Sequence, residues 1–370
     1  MISRKSTDWI LILIFLAAIG LPMIVQFHGR AAGTEAHEKR QLAQMPAWPR
    51  SLTEVWKFPG KFAAYYGDHF GLRARLIRWH ALAMYKLLDT SPSDKVLAGR
   101  DGWFYYADDY SLEDYRSLTP LTAAELERWR QVMETRQAWL AKHGVQMLLV
   151  FACDKYMIYP EFMPAGYQRN GGPYRLDQLV DYLRKNSSVN LISLRVPLEV
   201  GKTTDRLYHR TDTHWNDRGA YIGYREIMAA LRLPMLFSAD FTPVERITEG
   251  WDLARMMGLN TDISEENLGL MPNKPRRASV VEQDRPDKLW NNGRVVLEVA
   301  DPALPKLVMF RDSFGSALVP LLAEHFQRSV FLWQYDFDPA VILQEKPDYV
   351  VWLMTSRRLQ WFDPVNPPLP

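Results

Sequence analysis

The chain has 370 residues, enough for one large domain or two ordinary ones. Hydrophobic residues make up 47%, which excludes global disorder, and a formal charge of +2 excludes a nucleic-acid binder that relies on a basic field. The single cysteine, Cys153, excludes an internal disulfide, and behind an apolar run it reads as a small buried hydrophobe.

From Trp9 to Phe27 nineteen residues pass without a charge. At about 1.5 Å per residue this nearly matches a hydrocarbon core of about 30 Å. Arg4 and Lys5 precede the stretch, so the positive-inside rule leaves the N-terminus in the cytoplasm and the rest outside. Residues 1–28 are therefore expected to be an uncleaved membrane anchor rather than a signal peptide, whose apolar region is about 7–15 residues. The polar, proline-bearing stretch 29–51 reads as a linker, and a folded domain is expected over 52–365.

Leu52 to Leu88 carries amphipathic helical patterns, with interruptions expected near Pro59-Gly60 and Gly71. Gly99-Arg100-Asp101-Gly102 reads as a turn between two short strands. Thr122 with Glu125 makes a capping box for a helix that runs to about His143. The chain then alternates. Strands are expected at 145–152, 190–196, 306–310, 330–333 and 349–354. Helices are expected at 174–185, from Asn216 or Asp217 to 231, at 316–326 and at 339–344. This rhythm predicts an α/β fold, a mainly parallel sheet covered on both faces in three layers. Residues 234–305 break the rhythm and read as an insertion shaping a cleft.

Two segments carry chemistry. Ser313 follows the apolar run 307–310 and precedes a helical pattern, at the carboxyl edge of a parallel strand, where such folds bind ligands. Free backbone N–H groups at a helix start suit an oxyanion. Read alone, Asp312 or Ser313 is a helix cap, and the segment is not a Gly-x-Ser-x-Gly elbow. In Thr211-Asp212-Thr213-His214, positions 212 and 214 share one side of an extended segment. Asp212 is placed to fix the His214 tautomer, and His214 to take the Ser313 proton. A polar loop is the bland alternative. No metal is expected, because no cysteine or second histidine stands at a recognised spacing. No glycine-rich phosphate loop occurs, and no cofactor is expected.

Taken together, Asp212-Thr-His214-Trp215 and Arg311-Asp-Ser313-Phe-Gly315 resemble the alginate O-acetyltransferase family, the AlgJ/AlgX type of SGNH-hydrolase-like domain. Gly67-Asp-His-Phe-Gly-Leu-Arg73, Gly99-Arg-Asp-Gly-Trp103-Phe-Tyr and Asp154-Lys155 with Tyr159-Pro160 are similar to further segments of that family, so the likeness runs over roughly 40–360. SGNH enzymes usually carry the serine first. The order here, acid and base before serine, is the family's circularly permuted one. The resemblance implies an SGNH fold with Ser313 as the acetyl-carrying nucleophile, His214 as base and Asp212 as its orienter. It implies an exported bacterial polysaccharide as substrate, a membrane-bound O-acyltransferase as acetyl supplier, and a place in a polysaccharide synthesis and export complex at the inner membrane, with the catalytic domain in the periplasm. The chain ends soon after its last predicted strand, which makes AlgJ the nearer type. Lys155, Tyr159, Trp215, Arg311, Arg357 and Arg358 are expected to meet the sugar, with packing or surface charge as the alternative for each. An acetylesterase using the same residues and a non-catalytic scaffold are the competing readings.

Overall fold

The computed structural model describes residues 4–28, 42–285, 290 and 293–369. The chain divides into two compact units, one of residues 1–93 with 255–259 and one of 94–254 with 260–370.

The first unit is helical. α1 spans Arg4–His28 with Pro22 inside it. Its side chains at 4–7, 23 and 26–28 lie outside the described residues, as does 29–41 of the expected linker. Among the described residues no helix is long and apolar enough to cross a membrane, so the expected anchor over 1–28 is not supported by them. α2, Leu52–His69, is capped by Ser51 and runs through Pro59, where an interruption was expected. The break falls at Phe70-Gly71, and α3 follows over Arg73–Leu88. Both helices belong to this unit and not to the one that holds the predicted sheet.

In the second unit β1, Val96–Ala98, pairs antiparallel with β2, Phe104–Tyr106, across the expected turn, in which Asp101 and Gly102 take positive φ. α4 spans Ala123–Lys142 behind the Thr122–Glu125 capping box. Then come β3 (Gln146–Ala152), α5 (Arg175–Asn186), β4 (Leu191–Ser193), α6 (Arg195–Gly201) and α7 (Asp217–Leu231). The strands β5 (Phe241–Glu249) and β6 (Ser264–Pro272) form a separate hairpin. β7 (Ser279–Gln283), β8 (Arg294–Glu298), β9 (Lys306–Arg311), β10 (Arg328–Trp333) and β11 (Tyr349–Thr355) complete the strands.

One seven-stranded sheet has the order β4-β3-β11-β9-β10-β8-β7. The five strands from β4 to β10 are parallel, and β8 and β7 extend them antiparallel. β3, β9 and β11 are buried along almost their whole length, as strands covered on both faces must be. Trp129 of α4 packs on Phe151 and Trp352. The stretch 234–305 is thus only partly an insertion: β7 and β8, which lie within it, are members of the main sheet. Their apolar runs are short and flanked by charge, so their strand character comes from pairing, β8 with β10 and β7 with β8. The helix expected over 316–326 is three short turns, Ser313–Ala317, Val319–Leu322 and Ala323–His325, around Pro320.

Candidate active site

The carboxyl ends of β3, β9 and β11 lie side by side, and two buried aspartates tie them together. Asp312, after β9, accepts from the Thr355 N–H (2.8 Å) and hydroxyl (2.6 Å) at the end of β11. Its other oxygen accepts from Phe314 N–H at 3.0 Å and caps the turn that carries Ser313. Asp154, after β3, accepts from Ser356 Oγ (2.8 Å), Arg357 N–H (2.7 Å) and Arg357 Nη1 (2.6 Å). Neighbouring strand ends are therefore locked by charge-assisted bonds, which are short and about twice as strong as neutral ones.

On this edge the loop 207–216 brings Asp212 and His214 to Ser313. The loop closes on itself through Asn216 N–H to Leu207 O (2.9 Å) and His209 N–H to His214 O (3.2 Å). Tyr208 OH donates to Cys153 O at 2.6 Å, hanging the loop on the end of β3. His214 Nδ1 lies 2.6 Å from Asp212 Oδ1, and His214 Nε2 lies 2.7 Å from Ser313 Oγ. The Nδ1–H tautomer satisfies both contacts and leaves Nε2 as acceptor for the serine proton. Asp212 Oδ1 also accepts from the His214 backbone N–H at 3.0 Å, so one carboxylate oxygen orients backbone and ring together. Burial opposes charge on Asp212, but the adjacent imidazole outweighs it and holds the carboxyl far below its usual range. Burial likewise opposes the imidazolium, and the Asp212 charge outweighs it, raising His214. The imidazole side chain stays 28% exposed and Ser313 is half-buried, so neither is sealed from solvent.

Asp252, at the head of a short helix, is a third acid behind the imidazole that residue patterns did not single out. It accepts from Thr213 N–H (3.0 Å) and Thr213 Oγ1 (3.1 Å), and that hydroxyl is 3.2 Å from His214 Nδ1. Burial first, and the Asp212 charge second, push its carboxyl up. Asp212, His214 and Asp252 each bring a ligand-type atom within 4.8 Å of the others. Those groups are already bonded to one another or to Thr213. Glu265 of β6 was also missed. It is buried and accepts from Arg210 N–H (2.5 Å) and from both N–H (2.8 Å) and hydroxyl of Thr211, clamping the loop from the hairpin. Nothing local marks either acid, because the pairing is long-range.

Most residues expected at the sugar turn inward instead. Lys155 is 3% exposed and gives all three ammonium protons to backbone carbonyls: His209 at 3.0 Å, Arg210 at 2.8 Å and Asp212 at 2.6 Å. Tyr159 is buried and stacked on Trp103, and its hydroxyl accepts from Leu207 N–H at 2.9 Å. Trp215 is buried against Phe314 and donates to Phe314 O at 3.2 Å. Arg311 is buried, donating to Ser316 Oγ (2.9 Å) and the carbonyls of Asp312 (3.2 Å) and Trp290 (2.6 Å). Arg357 is held by Asp154, with its guanidinium 5.6 Å from the Phe314 ring centre. Arg358 alone keeps a substantial exposed part, 24% of its side chain, lying over Tyr335 and Trp361. The free N–H groups expected at the Ser313 turn are partly spent: Phe314 donates to Asp312 Oδ1 and Gly315 to Asp312 O.

The family model for the SGNH hydrolase-like domain of acetyltransferase AlgX matches residues 96–298, a span that includes Asp212 and His214 and ends before Ser313. A probable alginate O-acetylase AlgJ of Pseudomonas putida is 27% identical over 166 residues, covering 44% of this chain and 40% of the relative. The chain thus spans about two fifths of the length of the curated relatives it matches. Among solved structures, Bacillus cereus PatB1 superposes with a TM-score of 0.54 at 16% identity, over 71% of this chain and 96% of that one. A DHHW family protein from Eubacterium siraeum does so with 0.52 at 16%, over 72% and 92%. At such identity these likenesses establish the fold alone.

Proposed function

Because the chain belongs to the family of the SGNH hydrolase-like domain of acetyltransferase AlgX, we propose that it is a polysaccharide O-acetyltransferase working through Asp212, His214 and Ser313. The observation that carries this reading is the unbroken hydrogen-bond chain from Asp212 through His214 to Ser313, 2.6 Å and then 2.7 Å long. His214 Nε2 takes the Ser313 proton as Oγ attacks the acetyl carbonyl of the donor. The imidazolium, stabilised by Asp212, returns that proton to the leaving group, and acetyl-Ser313 remains. A sugar hydroxyl then enters and gives its proton to Nε2 as its oxygen attacks the acetyl carbonyl; the acetyl–Ser313 bond breaks and the imidazolium returns that proton to Ser313 Oγ. General-base help of this kind contributes about 10²–10⁴ in rate.

The relatives named as alginate O-acetylases support an exported, alginate-like polymer as acceptor. Arg358 beside the exposed Trp361 offers a cation and an aromatic plane to an acidic sugar. We read the acid–base–serine order as the permuted SGNH plan. The apolar run 9–27 supports attachment to the inner membrane with the catalytic unit in the periplasm, where a membrane-bound O-acyltransferase supplies the acetyl group within an export complex. The test is Ser313→Ala in the full chain. With an acetyl ester and an oligosaccharide acceptor, the wild type yields acetylated sugar and the variant loses at least about 10³-fold. Unchanged transfer by the variant overturns the reading, and acetate release that ignores the acceptor replaces it with an esterase.

A further inference from the structure

The helices α2 and α3 leave an apolar face uncovered within their own unit. On α2, Leu52, Val55, Trp56 and Phe62 recur at helical spacing, with exposures of 82%, 50%, 86% and 39%, and the helix has no buried residue. Lys57, Lys61 and Asp68 stand on the opposite side of the wheel, so α2 is amphipathic about a bare apolar stripe. Trp48 stacks on Phe58 at 5.4 Å and extends the stripe while itself 81% exposed. α3 adds Leu76, Ile77, Trp79, Leu87 and Leu88, all exposed, together with three arginines, one lysine and no acid.

Charge identifies the occupant. Residues 50–88 hold seven Lys or Arg against two acids, whereas the whole chain carries only +2. The basic excess is therefore concentrated in the segment that bares tryptophan and leucine. A protein partner's apolar face would satisfy the stripe alone. A surface that is apolar beneath and anionic above satisfies both features, and that is the headgroup boundary of a bilayer rich in acidic phospholipid. Exposed tryptophans suit the same depth, since indole has an apolar body and an N–H for the wet side.

We propose that α2 and α3 form a bilayer-surface docking element that lies in the headgroup region of an anionic membrane. Each Lys or Arg near such a surface contributes about 1 kcal/mol, falling off within a Debye length. The inference rests on exposure and charge, so it stands or falls apart from the acetyltransferase reading.

The experiment is amide hydrogen exchange on the full chain in nanodiscs of phosphatidylglycerol mixed with phosphatidylcholine, compared with phosphatidylcholine alone. Short helices without tertiary cover open readily, so docking registers as slowed exchange. Peptides from 52–88 are expected to exchange at least about 10-fold more slowly in the anionic discs, and the slowing is expected to fade in high salt. The charge variant Arg73→Glu/Arg75→Glu/Arg78→Glu and the apolar variant Trp56→Glu should each abolish the difference. Unchanged exchange across 94–254 certifies that the variants are folded. Equal exchange in both lipids overturns the proposal, as does protection that arises only when a second membrane protein is present.

Discussion

Replacing Lys155 with methionine tests whether this cation holds the site together or greets the polymer. Its ammonium is wholly buried and spans 2.6–3.0 Å to three carbonyls of the loop that carries Asp212. A hydrogen bond to a charged group contributes about 1.5–3 kcal/mol, and breaking a buried charged contact costs about 3–5 kcal/mol because its partners stay desolvated. Methionine fills the space but takes the ammonium from all three carbonyls, of which, among the described residues, only Arg210 O keeps another donor, the Phe104 N–H at 2.9 Å, so a loss of roughly 4 kcal/mol is expected. At about 2–4 °C per kcal/mol for a unit of this size, Tm falls by roughly 10 °C. Thermal unfolding measures that. Turnover of a small acetyl ester with no sugar present measures the displacement of Asp212 and should fall more than about 10-fold, since a misplacement of about 1 Å costs about 10². The pH dependence has a sign as well. Burial lowers the folded-state pKa of Lys155 to about 8 from 10.5, so the unfolded chain binds more protons between those values and the wild type gains on the variant as pH rises through that window. A variant with unchanged Tm and ester turnover, but a raised KM for polymer alone, would refute the structural role.

Gly315→Ala places a Cβ 2.6 Å from Arg311 Cδ and 2.7 Å from its Cβ, so the Ser313 turn must shift. Overpacking of this kind costs about 1–3 kcal/mol, and circular dichroism melts together with ester turnover should both fall. For Asp252→Asn, loss of the repulsion with Asp212 should raise Tm at neutral pH and leave it nearly unchanged in acid, where Asp252 is already protonated in the fold. The same substitution removes a charge that favours the imidazolium, so the acid limb of the pH–rate profile, expected above the ordinary imidazole range in the wild type because Asp212 raises His214, should move to lower pH. Asp154→Asn breaks the 2.6 Å contact with buried Arg357 and should cost about 3–5 kcal/mol in denaturant titration; a loss under about 1 kcal/mol would show that the strand-end tie is not needed.

Local patterns by themselves determined the α/β rhythm, the boundaries of β3, β9 and β11 to within a residue, and the cap at Thr122, because apolar runs and capping side chains act within a few residues; they left Asn216 and Asp217 as alternative caps and started β10 two residues late. They also marked Asp212, His214 and Ser313, whose neighbours in the chain are as telling as the residues themselves. Burial was decided only by tertiary structure. Lys155, Tyr159 and Arg311 look from the chain like polar reach at a strand end, and Trp215 like a ring that either stacks on a sugar or packs the loop. Their donors and acceptors are instead consumed by backbone groups 54–57 residues away for Lys155, 48 for Tyr159 and 99 for Trp215, and for Arg311 by groups as near as the next residue and as far as 21. Asp252 and Glu265 were invisible for the converse reason, since a carboxylate in a charged stretch carries no mark of the loop it will clamp. A folded interior leaves almost no polar group unpaired, and which groups pair is a property of distant chain brought together. Chain neighbours thus mark the proposed reacting groups, and the fold decides which of the surrounding charges stay exposed and which hold the site in place.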